Sequence, residues 1–295
     1  MNKLLVILVG AALLAVTSCI KEIEYKGDAG ESKMVVNAIM EADSTIRIHV
    51  ERSRFFLDAE FSEDSYWIKD ATVILTTQNG QSYTQTTMDD EGFYVFPITA
   101  QAGASYVVSV AHSDYPTVSS NTYVPEPVPI LSVDTSSSQG PNGVRRYKAL
   151  VNWNDAPGKD FYVMKLSFKE IDSDTVYGGQ YLYSDDISMN EVSAAEPGGE
   201  LNEVYYNELY FTDEFFDGQS KTLDIRFPKN EFDVSFDEIR FQFHLYRCNE
   251  ETYKYLISVK KASYLDFFSE PVKVYSNITN GYGIFGGMGE SVYLK

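Results

Sequence analysis

From Met34 onward the chain alternates apolar and polar positions in short runs. The clearest is Thr45-Ile46-Arg47-Ile48-His49-Val50, where Ile46, Ile48 and Val50 fall on one side. A two-residue period sends successive side chains to opposite faces of a strand. The same pattern predicts strands over 34–39, 71–75, 82–87, 92–96 and 104–110, and a further one from Tyr115 to Val124. Asn79-Gly80 between two of these runs is a strong hairpin signal. Seven or so short strands within ~90 residues predict an immunoglobulin-like β-sandwich over 34–125.

Pro125, Pro127 and Pro129 stiffen the exit from this region, and Ser136 to Gly143 reads as a flexible loop, so 126–146 is expected to be a linker. A second β-rich domain is expected over 147–295, with strands at 147–153, 161–168, 205–211, 222–227 and 239–246 and a long loop at 184–199. One helix is expected near 250–266. Asn249 can cap it, Glu250 and Glu251 suit the positive end of its dipole, and Tyr253, Leu256, Ile257, Lys260 and Tyr264 share a face. The expected fold class is therefore mainly β: an N-terminal immunoglobulin-like sandwich, then a second β-rich region with one helix in the C-terminal half.

The first residues follow a different rule. Lys3 is followed by an apolar run from Leu4 to Val16, broken only by Gly10, and then by Val16-Thr17-Ser18-Cys19. A run of ~13 apolar residues suits a signal-peptide core and is short for a bilayer span. The block ending in Cys19 resembles the lipobox of bacterial lipoproteins. Small residues ahead of the cysteine fit a signal peptidase, and its thiolate takes the diacylglycerol; two or three acyl chains give a stable anchor where one does not. Residues 1–18 are read as a lipoprotein signal peptide and Cys19 as the lipidation site. Residues 19–33, polar and containing Gly27, Gly30 and Ser32, read as a flexible tether.

Charge narrows the partners. The 295 residues carry 43 acidic and 24 basic side chains, a net charge of −19, and removing 1–18 takes away only Lys3. That balance argues against nucleic acid, which needs a basic footprint, and against adsorption to anionic lipid, so the acyl chains must do the anchoring. With Cys19 acylated, Cys248 is the one cysteine left, so the body is expected to fold without a disulfide and Cys248 to be a buried core thiol. The 22 Tyr and 18 Phe favour strands, where aromatic cross-strand pairs stabilise the pleated surface.

No residue set argues for catalysis, a cofactor or a metal. Gly281-Tyr282-Gly283-Ile284-Phe285-Gly286 matches the glycine spacing of a dinucleotide turn, but too little chain follows to supply the helix that meets the pyrophosphate. It is expected to form a tight turn, from Asn280 to Gly289, that packs Tyr282 and Phe285 against the second β-rich region. Acidic pairs at Asp89–Glu91, Asp172/Asp174, Asp185/Asp186, Asp213/Glu214 and Asp237/Glu238 lack calcium-loop spacing and read as solvated surface. His49, His112 and His244 sit in strand-like runs, outside any His-Glu-x-x-His or Gly-x-Ser-x-Gly pattern.

Several blocks together resemble a Bacteroidetes-type outer-membrane lipoprotein family, the domain of unknown function 4249. They are the lipobox cysteine, Val35-Val36-Asn37-Ala38, Asp70 to Leu75, Gly92-Phe93-Tyr94, Gly103 to Tyr106, Val151 to Asp155, Tyr253 to Leu256, and Glu270 to Ile278 running into Asn280 to Gly286. The resemblance implies partnership with a TonB-dependent outer-membrane transporter. It implies no functional residues. The expected function is a non-enzymatic envelope lipoprotein, lipid-anchored at the outer membrane and facing the exterior, the periplasmic face being the alternative. It would act as accessory or ligand-handling partner of such a transporter, its ligand unknown. A structural or adhesive surface lipoprotein is the competing expectation.

Overall fold

The alternation at the start of the chain builds a half-buried sheet. Met34–Glu41 (β1) and Thr45–Arg52 (β2) bury every second side chain, including Val36, Ile48 and Val50. They pair antiparallel, and β2 pairs with Tyr94–Thr99 (β5). Facing them is a four-stranded sheet of Thr72–Thr77 (β3), Ser82–Gln85 (β4), Ser105–His112 (β6) and Tyr115–Tyr123 (β7), in the order β4-β3-β6-β7. One apolar core, with Val73, Phe96, Val108 and Val118 inside, fills the gap. Four strands over three is the count of a small immunoglobulin-like sandwich. The β3–β4 hairpin turns at Asn79-Gly80, where Gly80 takes a φ of 83°.

The computed structural model describes residues 31–54, 63–139, 145–171, 175–178, 181–192, 207–228, 239–263 and 272–295. The expected signal peptide, Cys19 and most of the expected tether lie outside them. Residues 32–295 form one compact unit.

A second sandwich follows. Ile130–Gln139 (β8), Arg145–Asn154 (β9) and Ser220–Pro228 (β13) make a three-stranded sheet in the order β13-β9-β8. Opposite stand Phe161–Glu170 (β10), Val176–Tyr177 (β11), Leu209–Thr212 (β12) and Ile239–Cys248 (β14). Trp153 is the hub of this second core, with the rings of Tyr162, Phe211 and Phe216 centred 5.8–6.0 Å away. Aromatic clusters of this kind bury large areas and add edge and stacking contacts. Strand β8 lies inside 126–146, so the expected linker is paired strand for half its length. Its serines lie on an edge strand, where polar side chains face water without cost.

The last strand joins the two halves. Tyr282–Leu294 (β15) pairs parallel with β1 and antiparallel with β14, giving an eight-stranded sheet ordered β11-β10-β14-β15-β1-β2-β5, with β12 beside β10. Both sandwiches share this sheet, so the C-terminal residues belong to the first as much as to the second. On β15, Phe285 enters the first core while Tyr293 packs against the second. They are an even number of residues apart and so lie on one face of the sheet.

Between them the connector from β7 to β8 crosses that face. A Cβ at Gly287 would sit 2.3 Å from the Tyr123 carbonyl oxygen, and one at Gly289 would sit 2.5 Å from that of Pro125. On the opposite face, Gly286 meets Thr252 of the helix Glu250–Ser263 (α1). The glycine block is thus a strand pressed from both sides, and the tight turn expected over 280–289 shrinks to Asn280-Gly281. Phe285 belongs to the first core, and Tyr282 is exposed. The glycines are there because backbone on one face and a helix on the other come closer than any Cβ allows.

Candidate functional site

Helix α1 starts at a knot that gathers three elements. The Asn249 carboxamide oxygen accepts from Thr252 N–H at 2.9 Å, an ordinary N-cap. Its Nδ2 donates to Thr122 Oγ1 at 2.7 Å and to the Tyr123 carbonyl at 2.8 Å, at the end of β7. Its backbone N–H donates to the Gly287 carbonyl at 3.1 Å, and Gly287 N–H donates to the buried Thr252 Oγ1 at 2.9 Å. The capping residue therefore also fixes the crossing of the connector over β15. Beside the knot lies a cleft of about 270 Å³ whose wall includes Tyr123, Lys159, Asp160, Arg247 and Asn249.

Asp160 leads from that cleft to a buried acidic group. The β9–β10 turn supplies Asp155 and Asp160, and the turn after β12 supplies Asp213; they are 7%, 5% and 2% exposed. Asp155 accepts from the Tyr162 hydroxyl through one oxygen and from Gly218 N–H at 2.8 Å through the other. Asp160 Oδ1 receives both Nε (2.7 Å) and a terminal nitrogen (2.6 Å) of Arg247. Burial pushes the Asp160 carboxyl up, with Arg247 opposing. Asp213 is also pushed up, first by burial and then by its two acidic neighbours. The sequence treats Asp213 as solvated surface; the structure buries it.

A second polar chain runs across β10, β14, β15 and β1. Ser167 Oγ lies 2.7 Å from His244 Nε2, and His244 Nδ1 lies 2.6 Å from Glu290 Oε1. A His244 tautomer with its proton on Nδ1 satisfies both contacts. The order matches nucleophile, base and orienting acid. Yet Ser167 is only 7% exposed and stands in a regular ladder opposite Gln242, whose carboxamide oxygen, 3.1 Å away, competes with His244 for the one hydroxyl proton. A nucleophilic serine needs presentation at a turn and oxyanion donors beside it. The chain reads as polar stitching of four strands.

Glu290 also takes hydrogen bonds from Tyr246 and Glu41, and with His244 these hold it far below the usual carboxylate range. Burial and the Glu290 charge push Glu41 up from 4.5 to about 7. For an acid with a raised folded pKa, the stability contribution is full below 4.5 and is lost as pH rises through about 7. Glu41→Gln keeps a donor to Glu290 without the titration. It is expected to flatten the stability curve between pH 5 and 8 and to stabilise the protein by about 1 kcal/mol at the upper end, the full shift being discounted for partial exposure. Urea denaturation across that range checks this, and parallel curves for both proteins would refute it.

The other residues singled out by sequence scatter. Cys248 is free and fully buried, with its thiol pushed up to about 12 by desolvation. Asp89 pairs with Arg47, Asp185 with Arg226 and Asp186 with Lys221. Asp172, Asp174, Asp237 and Glu238 lie outside the described residues. Two larger hollows at the end of the first sandwich are lined by hydroxyl, amide, aromatic and aliphatic side chains, and the Tyr106 hydroxyl there already accepts from Gln101 N–H at 2.8 Å. Among the described residues no helix is long and apolar enough to cross a membrane.

Fold and site together define a mainly β protein of two sandwiches joined through one sheet. The chain belongs to the family described as domain of unknown function DUF4249, whose model matches residues 20–293. No curated protein matches it. Among solved structures it is similar to a two fibronectin type-III domain segment from chicken tenascin, at 12% identity and a TM-score of 0.22, over 74% of this chain and 91% of that one. It is also similar to a proposed membrane anchored protein from Corynebacterium diphtheriae, at 10% identity and a TM-score of 0.22, over 74% of this chain and 54% of that one.

Proposed function

We propose that the chain is a non-enzymatic envelope lipoprotein, held at the outer membrane through acylated Cys19 and exposed at the cell surface. There it serves as an accessory partner of a TonB-dependent transporter. The observation that carries the reading is the Val16-Thr17-Ser18-Cys19 block at the end of a short apolar run. An acidic body that repels anionic lipid agrees with it, since acyl chains must then supply the attachment. Two sandwiches locked by one shared sheet give a rigid platform on which a partner can dock without the cost of ordering it.

The same rigidity favours a second reading, a spacer or adhesive stalk without a transport role. Affinity purification of the full chain from detergent-solubilised native membranes separates the two. A β-barrel transporter recovered in near-equal amount is the expected result. Recovery of the chain alone, at yields where the bait is abundant, would favour the spacer.

A further inference from the structure

We propose that Asp155, Asp160 and Asp213 form a buried binding site for one calcium ion. One carboxylate oxygen from each lies within 4.8 Å of the other two. Oxygens on a calcium ion stand about 2.4 Å from it, so carboxylate oxygens gathered this closely can share one ion, and an all-oxygen set suits a hard cation such as calcium. The spacing falls within calcium's reach.

The hydrogen-bond inventory says which oxygens are left over. Tyr162 and Gly218 occupy Asp155, and Arg247 occupies Asp160 Oδ1. Asp160 Oδ2 and Asp213 Oδ2 are enclosed and have no hydrogen-bond partner of good geometry; Tyr162 beside Asp160, and the backbone of Asp160 and Asp213 beside the Asp213 carboxyl, offset their charge only in part. Asp213 is 2% exposed, so bulk solvent barely reaches it. With all three ionised, Arg247 offsets one charge and two remain, in a place where unpaired anions are strongly disfavoured. A divalent cation cancels those two charges and takes up both vacant oxygens in a single step.

The frame that holds the three carboxylates is cross-linked. Asp213 N–H donates to the Asp160 carbonyl at 3.3 Å, Asp155 N–H to the Gln219 carbonyl at 3.0 Å, and Gly158 N–H to Asp217 at 2.8 Å. These bonds tie the two turns together, so the oxygens are positioned by the fold. The rival way of neutralising the cluster is protonation of Asp160 and Asp213, whose burial already raises their proton affinity. The two accounts differ in what they respond to.

The test uses the full chain in detergent, stripped with a chelator and titrated with calcium chloride alone by calorimetry. One calcium per chain is expected, with the melting temperature rising by about 5 °C at a hundredfold excess over Kd. Terbium should emit when excited through the neighbouring Tyr162 and Trp153, and calcium should quench that emission by displacement. Asp213→Asn should weaken calcium binding at least tenfold and abolish the thermal response. Should that variant fail to fold, the wild-type stoichiometry decides, because surface carboxylates bind calcium weakly and without a defined number. Absence of saturable calcium binding overturns the proposal. So does a melting temperature that ignores calcium, the behaviour of a cluster neutralised by protons instead.

Discussion

Gly287→Ala is expected to destabilise the protein by about 4 kcal/mol or more, a value beyond the range of ordinary point substitutions. The added Cβ would lie 2.3 Å from the Tyr123 carbonyl oxygen and 2.9 Å from Val124 Cα. Both are backbone atoms, so no rotamer change relieves the clash, and Asn249 pins Tyr123 in place. The connector would have to lift off β15, dragging the Asn249 knot and the buried Val124 with it. Gly283→Ala should behave alike, since its φ of 104° adds strain to a Cβ only 2.1 Å from the Val36 carbonyl. Gly80→Ala is the control: φ is 83° but nothing lies within 4 Å, so only about 1 kcal/mol is expected. Chemical denaturation of the three variants measures this. A Gly287→Ala protein within about 1 kcal/mol of wild type would mean that the connector does not press on the strand.

Local pattern made the first sandwich legible. β1 and β2 alternate in burial as their sequence alternates in polarity, and Asn79-Gly80 marks its hairpin. What the pattern could not convey is which strands meet across long separations. β1 pairs with β15, and no period within either says so. The glycines then misdirect, because in isolation they signal a turn. Only the crossing backbone, found on another part of the chain, makes a glycine strand necessary. The serines of β8 misdirect in the same way, since an edge strand tolerates a polar run that looks like a loop.

The acidic cluster is missed by the sequence, which reads Asp213 as solvated surface and singles out neither Asp155 nor Asp160. The available signal is weak, for Asp155 and Asp160 flank a Pro157-Gly158 turn beside Trp153 and Phe161, both buried. Asp213 sits just after the buried Tyr210-Phe211 pair. Nothing in the spacing brings the β9–β10 turn to the β12–β13 turn; the sheet order does. Ser167, His244 and Glu290 likewise come from three strands, and their alignment follows from register alone.

Cys19→Ala is expected to abolish lipid attachment completely, an all-or-none effect because, in the proposed function, the Cys19 sulfur is the atom that carries the lipid. The neighbouring residues supply recognition, while the sulfur forms the bond. An unacylated body is acidic, so attraction to anionic lipid does not replace the lost acyl chains. Cys248 cannot substitute, being fully buried with its thiol pushed up to about 12. The most direct measurement is metabolic labelling of growing cells with a palmitate analogue, followed by membrane fractionation of wild type and Cys19→Ala. Label on the wild type in the membrane fraction, with none on the variant and the variant released from that fraction, is the expected result. Label retained on Cys19→Ala, or an unlabelled wild type, would contradict the account.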